Sequence, residues 1–189
     1  VIKEVELTFE QEERITELFN ELKYSVVSIN GFDVDGFEFW GPPGGGTGFF
    51  VTPTCVVTNA HVIEDMDTEN YYIEIYLPIE SSDYYYYVYA DIVKVGSATG
   101  GGVDGSIHND DFAVLEIVDW TIYRGDATAT DKTFTVSPVI FNTNTPQTGS
   151  TAFTIGHPAN IGYWIPIAGE FIQSTDWNEF EFSITGFGG

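Results

Sequence analysis

Gly46-Thr47-Gly48-Phe49-Phe50-Val51-Thr52-Pro53-Thr54-Cys55-Val56-Val57-Thr58-Asn59-Ala60-His61-Val62-Ile63-Glu64 is the stretch on which the reading of the chain turns. It reads as two short apolar strands joined by a turn at Thr52 to Thr54, where Pro53 presets φ. Thr58-Asn59 breaks the second strand and His61 opens a helical turn. A histidine held just past a buried strand is well placed to act as a general base. Two plainer readings stand beside it: a hydrogen-bonded core or cap histidine, and a Thr-Asn pair that only caps the turn. Gly44-Gly45-Gly46-Thr47-Gly48 is no phosphate loop, since it lacks the lysine and leads into an apolar strand rather than a helix.

Composition bounds what surrounds this stretch. The 189 residues are 43% hydrophobic and 16% aromatic, enough for a substantial core in one compact unit or two small ones. No apolar run is long enough to span a bilayer. The sequence begins at Val1 without an apolar leader, so a signal peptide is expected to have been removed or to lie outside it. Asp and Glu number 29 against 6 Lys and Arg, a formal charge of −23. Such a polyanion disfavours nucleic acid and anionic membranes as partners. It suits cationic peptides, a salt-adapted surface or a merely soluble secreted one. Cys55, the single cysteine, permits no internal disulfide and is expected to be a buried small hydrophobe.

Working outward, residues 8–23 read as a helix. Thr8 and Gln11 form a capping box, Ile15, Leu18, Phe19 and Leu22 share one face, and acids crowd the first turn. Residues 24–30 open the β region. Ile73, Ile75 and Leu77 alternate with polar or amphipathic residues, as in a half-buried strand, and residues 84–95 form a longer strand headed by four tyrosines. Stacked tyrosines suit a sugar or peptide platform, although Tyr is also simply a good strand former. Residues 97–105 are a glycine-rich loop. After it come His108-Asn109-Asp110-Asp111-Phe112-Ala113-Val114-Leu115-Glu116-Ile117, an acid pair before an apolar strand. Asp104, His108, Asp110 and Asp111 invite comparison with a Ca²⁺ loop, but neither EF-hand spacing nor a bidentate Glu is present, and no metal or cofactor is expected.

Several of these segments resemble one family. Gly46-Thr47-Gly48-Phe49 followed by Val56-Val57-Thr58-Asn59-Ala60-His61-Val62 is similar to the histidine segment of trypsin-like serine proteases, especially the secreted HtrA/Deg-type branch. Asp111-Phe112-Ala113-Val114-Leu115-Glu116-Ile117 is similar to its aspartate segment, which gives the role to Asp111 and leaves Asp110 as the outward neighbour. Residues 24–30 resemble the first barrel strand, and residues 151–158 resemble the Ile-Gly-Asn-Pro strand and turn, with His157 where the family has Asn and hence as a turn residue without a catalytic part.

The resemblance implies an all-β fold of two antiparallel Greek-key β-barrels, the second incomplete, with a short N-terminal helix and the site in the cleft between the barrels. Its divisions would be a helical extension over 1–23, a first barrel over 24–118, a connection over 119–136 and a partial second barrel over 137–189, with strands over 163–173 and 178–185. Many short strands punctuated by Gly and Pro point independently to a barrel or sandwich. The activity implied is serine endopeptidase chemistry on peptide or protein substrates, in an extracellular or cell-envelope setting. His61 and Asp111 are its catalytic residues here, in the chain order of the chymotrypsin-like arrangement. The family carries its nucleophile in Gly-x-Ser-Gly, which occurs nowhere in residues 1–189. The expectation is a serine just beyond Gly189, with the second barrel completed by that C-terminal segment or by a partner strand. The alternative is a catalytically inactive, protease-like binding or structural protein of the cell surface.

Overall fold

The computed structural model describes residues 8–33, 45–63, 66, 71–79, 86–96, 111–124, 127–157, 164–174 and 180–182. Apart from one α-helix, α1 (Phe9–Leu22), and two 3₁₀ turns, the regular elements are strands. They fall into two units, Tyr24–Val139 and a second made of Val1–Lys23 with Ile140–Gly189.

The first unit holds β1 (Val26–Asp33), β2 (Gly45–Phe50), β3 (Cys55–Thr58), β4 (Tyr71–Leu77), β5 (Tyr86–Val95), β6 (Ala113–Arg124) and β7 (Ala127–Thr128). Their order is β3-β2-β1-β4-β5-β6-β7, and β3 also pairs with β6, so six antiparallel strands form a closed hydrogen-bonded circuit. Closure removes the open edges that a row of strands would present. The two-residue side-chain period points Val27, Ile29, Phe50, Val56, Ile73, Ile75, Val88 and Leu115 inward, each at most 2% exposed. A buried aliphatic or Phe side chain contributes roughly 1.5–3 kcal/mol, so this interior holds the unit together. The same alternation corrects the expectation for Cys55: Val56 takes the inward position and Cys55 is only partly covered.

The glycines of the opening stretch follow from the same packing. Gly46 and Gly48 lie on the inward face of β2. A Cβ on Gly46 would sit 2.6 Å from Val62 Cγ2, and one on Gly48 2.7 Å from Val56 Cγ1 and 2.8 Å from Ile29 Cδ1. Here glycine is the side chain that fits.

Residues 119–136 differ from the connection expected of them. β6 runs on to Arg124 because Ile122 is buried in the core and Tyr123 stacks on Tyr87 at 5.7 Å. β7 then turns back on it. Beyond β7, Ala129 N–H donates to Ile122 O (2.7 Å), Phe134 and Val136 pack against the core, and Val139 N–H donates to Phe50 O (2.8 Å).

The outer face of β4 to β6 carries tyrosines. Tyr72–Tyr89, Tyr76–Tyr87, Tyr87–Tyr89 and Tyr89–Tyr123 ring centroids lie 5.7, 5.8, 5.5 and 5.2 Å apart. Three of these pairs cross between strands and Tyr87–Tyr89 lies along β5; cross-strand aromatic pairs each add a fraction of a kcal/mol. Glu74 stands among them on the same face of β4 and is only 9% exposed. Burial pushes its carboxyl up to about 7, against a smaller lowering by its hydrogen bond with Tyr76. The folded state therefore holds this proton more tightly than the unfolded chain. Stability from Glu74 is full below pH 4.5, is lost as pH rises towards 7 and stays lost above it. Glu74→Gln is expected to stabilise the protein by about 3 kcal/mol at pH 8 and by little at pH 4, read from urea unfolding at both. Equal gains at the two pH values would contradict the assigned ionisation.

In the second unit Thr8 and Gln11 form the expected capping box, with Thr8 N–H donating to Gln11 Oε1 (2.8 Å) and Gln11 N–H to Thr8 Oγ1 (3.3 Å). Gln11 Nε2 also donates to Thr151 Oγ1 (2.9 Å), tying the start of α1 to the first residue of β8 (Thr151–Gly156). β8 pairs with β9 (Ile165–Ser174), and β9 with β10 (Phe180–Phe182). His157 follows β8 directly and is buried. It is 8% exposed, and its ring meets Trp164 edge-on at 4.9 Å. Burial lowers its pKa to about 4, so the ring is neutral at pH 7. Of the strand expected over 178–185, residues 180–182 are described; the remainder, the 97–105 loop and Asp104, His108 and Asp110 lie outside the described residues.

Candidate active site

Fifty residues separate His61 from Asp111, and one strand pair brings them together. β3 and β6 run antiparallel in the register Thr58↔Ala113, Val57↔Val114, Val56↔Leu115. The residue types that leave β3 and those that enter β6 therefore meet at one end of the ring. Past Thr58 the chain makes a 3₁₀ turn over Ala60–Val62, closed by Val62 N–H to Asn59 O (3.2 Å) and Ile63 N–H to Ala60 O (3.1 Å). Ala60, Val62 and Ile63 are buried, so the turn is anchored on both sides of His61. Val62 seats over Gly46, which ties the glycine of the opening stretch to the position of the histidine.

His61 Nδ1 lies 2.8 Å from Asp111 Oδ2, and His61 N–H donates to Oδ1 (3.0 Å). Backbone and ring of one residue thus grip both oxygens of the other. The side chains are 50% and 32% exposed. Burial pushes the Asp111 carboxyl up. It is outweighed by the backbone N–H, ring and charge of His61 and by the Ala60 N–H, which together hold the carboxyl below its usual range. An ionised Asp111 accepts from Nδ1, so the neutral imidazole carries its proton there and keeps a lone pair on Nε2.

Asn59 is the residue of this site that the sequence reading missed. It occupies the N-cap position of the 3₁₀ turn but makes no capping hydrogen bond. Its Nδ2 donates instead to Asp111 O (3.1 Å) and Asp111 Oδ2 (3.2 Å). Both partners are acceptors, which fixes the orientation of the amide. Adjacency to His61 is the available signal, and the cap is only the plainer alternative for the Thr58-Asn59 pair. Among the described residues, Asp111 is the one hydrogen-bond partner of the His61 ring, and no cluster of three or more His, Cys, Asp or Glu could hold a metal.

Residues 46–177, well over half of the chain, match the family model of the trypsin-like peptidase domain. The chain belongs to that family. His61 and Asp111 both fall within the matched span of this trypsin-like domain. Among solved structures, that of Deg5 aligns over 96% of this chain and 78% of its own, with a TM-score of 0.61 and 21% identity. At that identity the likeness is one of fold, and it agrees with the mostly β architecture and single helix of the trypsin-like domain. No curated protein matches the chain. No described helix of the trypsin-like domain is long and apolar enough to cross a membrane, which leaves strand-built spans unaddressed.

Proposed function

We propose that the protein is a serine endopeptidase in which His61 is the general base and Asp111 its orienting carboxylate, and that the nucleophilic serine is encoded beyond Gly189. The observation that carries this reading is the two-point grip of Asp111 on His61, 2.8 Å at Nδ1 and 3.0 Å at the backbone N–H. The pair supports the following chemistry. Nε2 takes the proton of a serine hydroxyl as it attacks the peptide carbonyl, and the imidazolium beside the carboxylate then returns it to the leaving amine. Asn59 steadies the carboxylate through its donation to Oδ2. The oxyanion donors of this chemistry come from the nucleophile segment, so residues 1–189 alone lack both nucleophile and hole.

Peptide hydrolysis by the full gene product, by a version ending at Gly189 and by full-length His61→Ala tests the reading. The full product is expected to cleave, and the other two are expected to be silent. A silent full-length protein, folded by circular dichroism, would overturn the enzyme in favour of a protease-like binding protein.

A further inference from the structure

We infer that the outer face of β4, β5 and β6 is a binding surface for basic polypeptides, which lay lysine or arginine side chains across the tyrosine rings around Glu74. This inference stands apart from the catalytic reading and rests on three observations.

The first is the geometry of the face. Tyr72, Tyr89, Tyr87 and Tyr123 form a chain of rings with successive centroids 5.7, 5.5 and 5.7 Å apart across three strands. Tyr72 at its edge is 50% exposed, so the platform opens to solvent there. The face of an aromatic ring is its negative side and attracts ammonium and guanidinium groups within about 6 Å of the centroid.

The second is charge. A tyrosine layer that served packing alone would have no need of a carboxyl at its centre, yet Glu74 is there and nine-tenths covered. The titratable side chains nearest it are Tyr72 and Tyr76 from its own strand and Tyr89, its register partner on β5, with Tyr87 beside Tyr89 and Tyr123 of β6 packed on those two rings; Asn30, its register partner on β1, does not titrate. Register also puts the exposed Asp91 and Asp119 on this face, next to the rings on β5 and β6. Aromatic centre and acidic border together fit a ligand carrying several positive charges.

The third is what the chain does with its own cations. Lys132 lies over Tyr86 at 5.6 Å, Lys94 over Phe112 at 5.5 Å and Lys23 over Phe19 at 5.7 Å, so three of its four lysines ride on aromatic rings. The half-exposed Tyr72 at the edge of the layer offers the same contact to cations supplied from outside, whereas Tyr87 within it is 8% exposed.

A bound cation would favour the ionised form of Glu74, so by linkage a higher pH favours binding. With the free carboxyl titrating at about 7, affinity should rise about tenfold between pH 6 and pH 8. The probe is an octalysine peptide, titrated calorimetrically into the whole chain at about 0.15 M salt to screen diffuse attraction. Wild type should show the tenfold step. Glu74→Gln should abolish the step that Glu74 contributes. Tyr72→Ala should weaken binding several-fold at both pH values and Tyr72→Phe should restore it; Tyr72 is half exposed, so neither change threatens the fold. Failure of wild type to bind, or binding that Glu74→Gln and Tyr72→Ala leave unchanged at both pH values, would overturn the inference and assign any attraction to the general charge of −23.

Discussion

Replacing Asp111 with Asn is expected to lower kcat/KM of the full gene product by about 10⁴-fold while leaving the fold intact. The substitution keeps the shape of the side chain and its place at the entry to β6. It removes the charge and puts an amide where Nδ1–H and the His61 N–H both require acceptors. One of the two contacts must then reverse or break. If the ring adapts by moving its proton to Nε2, the nitrogen that should take the serine proton no longer can. The loss should appear in kcat more than in KM, because Asp111 orients the base and need not contact substrate. ¹⁵N NMR of the His61 ring, with the proton on Nδ1 in wild type and on Nε2 in the variant, separates this mechanism from a general loss of structure. A variant with full activity would show that Asp111 is a structural partner of the turn and nothing more.

Gly48→Val is expected to cost about 3 kcal/mol of stability, or a fall in Tm of about 6–12 °C. The first added carbon already meets Val56 Cγ1 at 2.7 Å, Ile29 Cδ1 at 2.8 Å and the backbone oxygen of Val57 at 3.1 Å. The side chains are branched and buried, and the oxygen belongs to a paired strand, so none can yield cheaply. Gly31→Ala should cost much less despite a closer approach, since it meets only the Sδ and Cε of Met66, the end of a flexible side chain. Gly149→Ala gives a third behaviour: it meets nothing within 4 Å, and its penalty of about 1 kcal/mol comes from φ +81 alone. Calorimetry on the three variants should return that order. A Gly48 variant as stable as wild type would mean that the inward face of β2 has room the packing denies.

Legibility in the sequence followed the range of the interactions involved. The helix from Thr8 was readable because a capping box and a one-sided apolar stripe are local. The strands on either side of Pro53 were readable because alternation and the turn proline are local too. His61 and Asp111 were found through motifs, whereas the β3–β6 register that joins them is a pairing between distant segments that no spacing encodes. The role of Asn59 is hidden for the same reason: its acceptors lie fifty-two residues away, while the local sequence offers at most an N-cap. Glu74 is not legible as a special residue, since one acid in an alternating strand looks solvated until the fold buries it beside Tyr76 and Tyr89. The strand beyond Ile117 was taken for a linker because its residues are polar. What holds it in the sheet is the buried Ile122 and the stacking of Tyr123 on Tyr87.

The measurement that bears most directly on the proposed chemistry is fluorophosphonate labelling of the full gene product, followed by peptide mapping of the modified residue. A serine made nucleophilic by His61 should take the label on its Oγ, with loss of the leaving group, and should do so only when the imidazole is present. The expected result is one label on a serine in a Gly-x-Ser-Gly segment C-terminal to Gly189, abolished by His61→Ala. A label on a serine within residues 1–189, a label indifferent to His61, or a folded full-length protein that takes none would contradict it.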